Sequence, residues 1–138
     1  ISIRPLVARL RRELPFCGSK VAAGFPSPAD DWMEESLDLN DRLIHNPAAT
    51  FLVKVDGPSM IGAGIAPGDM LVVDKSEDAK HGDIVVAVVN GEFTLKRYIN
   101  NNGVITLVAE NTNYSPITFK DGDEMSIWGV VKPCIKDF

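Results

Sequence analysis

Asn90-Gly91 stands between two runs rich in β-branched residues, Ile84 to Val89 and Glu92 to Ile99, and this leaves the chain little choice of local fold. Both residues of the pair tolerate positive φ, so a two-residue connection can reverse the chain and pair the flanking runs as an antiparallel hairpin. The same alternation of apolar runs and turn signals holds from Thr50 onward. Thr50 to Val55, Met70 to Asp74, Val104 to Ala109 and Ile127 to Val131 read as further strands. Asn102-Gly103 reads as a second tight turn. No internal repeat or low-complexity tract interrupts the series. The body is therefore expected to be a mostly β domain with short helices only at its front end.

Ahead of Thr50 the signals change. Pro5 and Pro15 interrupt any long helix, Cys17-Gly18-Ser19 reads as loop, and only Leu6 to Leu14 could form a short helix. Gly24-Phe25-Pro26-Ser27-Pro28 is predicted to be extended, since each proline pushes its predecessor out of the helical region. Ser27 then reads as an N-cap with Pro28 at the first helical position, followed by Ala29, Trp32, Met33 and Leu37 at helical spacing. A second short helix is expected from Asn40, ending near Asn46-Pro47. The expected division is an arm over residues 1–23, a linker with short helices over 24–46, and a β domain over 47–138.

Charge follows that division. The arm holds Arg4, Arg9, Arg11, Arg12 and Lys20 against Glu13, a net +4, while the remainder holds nine basic and eighteen acidic residues, a net −9. Such an arm either docks on the acidic body or trails as a solvated tail. The formal net charge of −5 argues against a protein held to nucleic acid by phosphate contacts, so no direct sequence-specific nucleic-acid binding is expected. With 138 residues, 45% of them hydrophobic, the chain can build one ordinary core. Cys17 and Cys134 make no disulfide framework, which points to a reducing, cytoplasmic location. No Cys/His spacing suggests zinc, and no Walker or dinucleotide fingerprint is present, so neither metal nor cofactor is expected. No apolar run approaches the ~18 residues of a membrane span, and the basic N-terminus lacks the apolar stretch of a signal peptide. A chain beginning at Ile1 is expected to lack a few native residues ahead of it.

Two residues stand out chemically. Ser59, in Gly57-Pro58-Ser59-Met60, falls where a strand ends and the chain turns before Gly62, Gly64 and Gly68. A tight turn can present a hydroxyl and aim neighbouring N–H groups at a developing oxyanion. Read locally, a turn serine capping a helix from Met60 explains it as well. Lys96 lies in the predicted strand Glu92 to Ile99, sharing one face with Thr94 and Tyr98, while Phe93, Leu95 and Ile99 share the other with Arg97. A strand lysine is ordinarily solvated and protonated. Turned inward, it would lose its proton more readily and could serve as a base for a serine hydroxyl. His45 or His81 could in principle form a Ser-His-Asp set with Ser59, though both read as surface turn residues. Asp69 and Asp83 read as turn residues beside Gly68 and Gly82.

A series of ordered segments carries a resemblance: Gly24-Phe25-Pro26-Ser27-Pro28-Ala29, Pro47-Ala48-Ala49-Thr50, Ile65 to Asp74, His81 to Val85, Gly91 to Arg97, Tyr114 to Thr118 and Trp128 to Val131. Over nearly all of Gly24 to Val131 the chain resembles the UmuD family, self-cleaving SOS-mutagenesis proteins related to the peptidase domain of LexA repressors. The resemblance implies a LexA/UmuD-like β-clip of short twisted strands with an extended N-terminal arm. It implies that Ser59 is a nucleophile, that Lys96 is its general base, and that the cleaved bond lies between Ala23 and Gly24. The arm over 1–23 would then be removable. It further implies a homodimer, stimulation of cleavage by a RecA–single-stranded DNA filament, and assembly of the trimmed form with a UmuC-type subunit into an error-prone polymerase. Two departures matter: Pro58 stands where relatives usually carry aspartate or serine, and Gly62 replaces a common acidic residue. Pro58 removes an N–H and stiffens the turn, which bears on efficiency more than on mechanism.

The competing expectations are a LexA-like repressor fragment and a non-catalytic β interaction module. Only 23 residues precede Gly24, with Pro5 and Pro15 among them, fewer than a helix-turn-helix domain needs.

Overall fold

A computed structural model describes residues 2–5, 13–17, 23–24, 33–119 and 124–138. It contains two compact units, Ile1–Leu6 with Asn46–Phe138, and Val7–His45.

The larger unit is an antiparallel sheet. Its strands are β1 (Ser2–Pro5), β4 (Thr50–Lys54), β5 (Met70–Asp74), β6 (Ile84–Val89), β7 (Glu92–Asn101), β8 (Val104–Val108), β9 (Ile117–Thr118) and β10 (Met125–Ile135). They lie in the order β1-β4-β5-β10-β6-β7-β8-β9. The mostly β architecture expected from the sequence is the one observed. Both predicted turns have the backbone they need: φ is 50° and 82° at Asn90 and Gly91, and 51° and 86° at Asn102 and Gly103. Positive φ at both central residues is the type I′ turn, whose twist matches that of the paired strands.

Adjacent residues of β6 enter different cores. Val86 joins Val53, Val55, Met60, Leu71 and Leu95, whereas Val85 joins Ala87, Tyr98, Leu107 and Val130. Successive side chains on a strand point to opposite faces. The centre of the sheet is therefore covered on both faces, and β5 and β6 read as continuous apolar runs for that reason. Register shifts in β10 between Ile127 and Gly129, and between Val131 and Cys134, bend it across both neighbours. At Gly129 a Cβ would stand 2.5 Å from Val73 Cγ1, so only glycine fits the crossing.

The smaller unit corrects two expectations of helix. Met33–Asp38 forms strand β3, not the second half of a helix, and pairs antiparallel with β2 (Glu13–Cys17). The proposed cap Ser27-Pro28 and the residues Ala29 and Trp32 lie outside the described residues, as do residues 6–12 of the other short helix expected. Its last two positions, Glu13 and Leu14, belong to β2. Tertiary pairing overrides helix propensity here: Glu13 meets Asp38 and Leu14 meets Leu37 across the ribbon. Pro15 is tolerated because a two-stranded ribbon consists only of edges. The second short helix is present as α1 (Leu39–Leu43), whose first turn is capped by Asp38 accepting from Asn40 N at 2.9 Å.

The first residues of the chain are not a free tail. Residues 2–5 pair with β4 as the sheet's edge strand, Ser2 opposite Lys54 and Ile3 opposite Val53. Ile3 packs on the core that contains Val53 and Leu71. Backbone pairing and apolar contact hold this segment.

Candidate active site

β4 delivers the chain to the serine turn. Two backbone bonds close its end, Val55 N to Asp69 O at 2.8 Å and Gly68 N to Val55 O at 2.9 Å. Gly57 then turns with φ of 85°, a conformation that side chains resist. Pro58 and Ser59 follow, and Met60 anchors the turn from beneath, only 1% exposed. Its carbonyl accepts from Ala63 N at 3.0 Å and Ile65 N at 3.2 Å, fixing the short 3₁₀ turn Ile61–Ala63. The cap position of that turn is Met60, and no side chain caps it. Ser59 is therefore not the helix cap that a local reading allows. It stands partly exposed on a buried anchor.

β7 delivers the lysine. Lys96 lies opposite Val85 of β6, on the face shared with Thr94 and Tyr98, and that face turns inward. Its side chain is 8% exposed. Lys96 Nζ donates to Leu95 O at 3.1 Å and to Ser59 Oγ at 3.4 Å. Tyr114 covers it, with the ring centroid 5.8 Å from Nζ. Burial pushes the Lys96 pKa below its ordinary value, because the ammonium form loses hydration that few neighbours replace. A hydroxyl beside an amine with a weakened hold on its proton is an arrangement able to generate a serine alkoxide.

A cleft of about 250 Å³ opens beside the pair, lined by Val53, Val55, Asp56, Ser59, Met60, Leu71, Phe93, Thr94 and Leu95. Apolar side chains of Val53, Val55, Met60, Leu71, Phe93 and Leu95 share its walls with the polar Asp56, Ser59 and Thr94. Ala23 and Gly24 are both exposed and belong to the Val7–His45 unit.

The remaining candidate residues have different duties. His81 is exposed, and its Nδ1 accepts from Asn100 N at 3.0 Å. His45 is an exposed residue of the smaller unit. Asp83 Oδ2 accepts from Lys80 N at 2.9 Å, and Asp69 Oδ2 accepts from Ala66 N at 2.8 Å, the turn roles their glycine neighbours suggest. Asp69 also pairs with Lys136, whose bond holds its carboxyl below the usual range. Cys134 is a free thiol. Among the described residues no group of three or more His, Cys, Asp and Glu is placed to hold a metal ion, and no helix is long and apolar enough to cross a membrane.

Sequence reasoning missed the support around Lys96. Arg97 Nε bonds Glu110 Oε1 at 2.5 Å and its Nη1 donates to Gly82 O at 2.6 Å, fixing β7 against the loop after β8. In that loop Asn111 Nδ2 donates to Pro58 O at 2.9 Å. Nothing in the local sequence marks Glu110 or Asn111, since each acts on a residue distant along the chain.

Comparison with known proteins converges on one group. A family model described as Peptidase S24-like matches residues 15–132. The protein ImpA of Salmonella typhimurium is 52% identical over 85 residues, covering 62% of this chain and 59% of ImpA. SamA of Salmonella typhimurium is 46% identical over 117 residues, 85% of this chain and 81% of SamA. MucA of Escherichia coli is 41% identical over 120 residues, 86% of this chain and 81% of MucA. The chain thus spans about three-fifths of the length of the ImpA relatives it matches.

Proposed function

The chain belongs to the Peptidase S24-like family, and from that premise we propose that it is a serine peptidase that cuts its own chain between Ala23 and Gly24. Ser59 is the nucleophile and Lys96 the general base. The observation that carries the reading is the 3.4 Å contact between a partly exposed hydroxyl and a buried amine whose pKa is lowered. Neutral Lys96 takes the Ser59 proton as Oγ attacks the carbonyl carbon of Ala23. The tetrahedral oxyanion collapses when the Lys96 ammonium gives its proton to the departing Gly24 nitrogen. Residues 1–23 are then an ester on Ser59. Water, deprotonated by Lys96, attacks that ester and restores both side chains.

Small residues on both sides of the bond let the backbone approach Oγ closely. By the UmuD resemblance, the arm over 1–23 is the removable part, 24–46 the linker and 47–138 the peptidase body. The trimmed form acts, on the same resemblance, as a cytoplasmic homodimer that assembles with a UmuC-type polymerase subunit in the SOS response, with a RecA–single-stranded DNA filament stimulating the cut.

The test is incubation of the purified chain at alkaline pH, and at neutral pH with the filament, followed by intact mass. A product beginning at Gly24 is expected. A cut at another bond, or none under conditions that cleave a relative, removes the proposal.

A further inference from the structure

The loop after β8 touches the serine turn at three points. Glu110 O accepts from Gly62 N at 2.7 Å, Glu110 N donates to Met60 Sδ at 3.4 Å, and Asn111 Nδ2 donates to Pro58 O at 2.9 Å. Asn111 Oδ1 accepts from Asn113 N at 3.0 Å. That contact needs an acceptor and the Pro58 contact needs a donor, so one orientation of the amide serves both. Pro58 O accepts a second bond from Ile61 N at 3.3 Å. The loop's approach depends on Gly62, where a Cβ would stand 2.6 Å from Glu110 O.

Holding a carbonyl also sets the direction of the N–H that follows it. In a trans peptide the two point in opposite directions, and there is no cis bond among the described residues. With its oxygen held by Asn111, the Pro58–Ser59 peptide turns the Ser59 N–H away from the loop. Pro58 has no N–H of its own, so the donors that the turn can offer a developing oxyanion begin with that of Ser59. We propose that Asn111 is a positioning residue, which holds the Pro58 carbonyl outward and so fixes the Ser59 N–H as a donor to the tetrahedral oxyanion. Rotation of that peptide would put a carbonyl oxygen where the donor belongs. The proposal rests on Ser59 being the nucleophile.

The experiment is the unassisted self-cleavage rate against pH for the full chain, compared with Asn111→Ala, Asn111→Asp and Ser59→Ala. Aspartate fills nearly the same space but, ionised, cannot donate to Pro58 O. Both Asn111 variants should reach an alkaline plateau about 10- to 100-fold below that of the parent, up to the loss seen when an oxyanion donor is removed. The inflection of Asn111→Ala should stay at the parent's pH, because the amine is untouched. A wild-type plateau in either variant overturns the proposal, and so does an inflection that moves while the plateau stays. If Asn111→Ala does not fold, Asn111→Asp is read alone; if neither folds, Asn111 is a residue of the fold and the proposal fails. Ser59→Ala separates the two levels. If it is inert, the plateaus of the Asn111 variants decide the positioning role; if it cuts at the parent's rate, the nucleophile falls and the positioning role with it.

Discussion

A buried amine couples the chemistry of Lys96 to its stability. The side chain must enter the fold without water, and its pKa falls below the ordinary 10.5 as a result. Below the folded pKa the neutral fraction rises about tenfold per pH unit, so the self-cleavage rate should climb with that slope and level off before ~10.4. Lys96→Ala and Lys96→Arg should be inactive, the latter because a guanidinium does not deprotonate in the accessible range; a normally cutting, folded Lys96→Arg would assign the base elsewhere. Stability carries the same sign. Between the lowered folded pKa and the unfolded value, the unfolded chain binds more protons, so stability rises with pH through that window and is lost as pH falls through the folded value. Lys96→Met should flatten that rise in denaturant titrations from neutral to alkaline pH. Ser59→Ala should abolish cutting with little change in melting temperature. Ser59 and Lys96 were singled out because each sits in a segment with a recognisable order of residues, and their side chains meet at 3.4 Å. Asn111 was not, because its partner Pro58 lies 53 positions away and an asparagine in a polar turn advertises no such duty.

Elements were legible where local and tertiary preferences agreed. β5 and β6 begin and end at the residues where turn signals bound their apolar runs. β10 runs from Met125 to Ile135 although its pattern suggested only Ile127 to Val131. Lys132-Pro133 looks like a strand's end, but the register shift between Val131 and Cys134 accommodates the proline at a bulge. β3 was illegible for the opposite reason. Its Glu-Glu-Ser-Leu composition suits a helix, and only pairing with β2 makes it a strand. The most specific element-level requirement is Gly129, where β10 crosses β5 against Val73 and the Asp74 carbonyl. Gly129→Ala forces one of two packed strands to move, and should cost about 1–3 kcal/mol, as overpacking does. Thermal unfolding checks it: a melting temperature equal to the parent's would mean that the crossing yields freely.

At the scale of the whole molecule, the arm and the body are not separable by reading charge alone. The basic segment suggested either docking or a solvated tail. Its first residues instead join the sheet through backbone pairing, with Ile3 on the core. The proposed scissile bond lies downstream of that strand in the chain, so hydrolysis at Ala23-Gly24 would cut the covalent tether while leaving residues 2–5 paired. Nicking and letting go are then two events with separate clocks. On the proposed mechanism the first is set by Ser59 and Lys96, and the second by how quickly β1 peels from β4 and β2 from β3. Shortly after the cut, the fragment should co-elute with the body in native size exclusion and part from it in mild denaturant; immediate separation in buffer would show that neither the β1–β4 nor the β2–β3 pairing latches it. Once it leaves, Phe51 to Lys54 present a bare row of N–H and C=O groups, a template on which another chain's strand can lie.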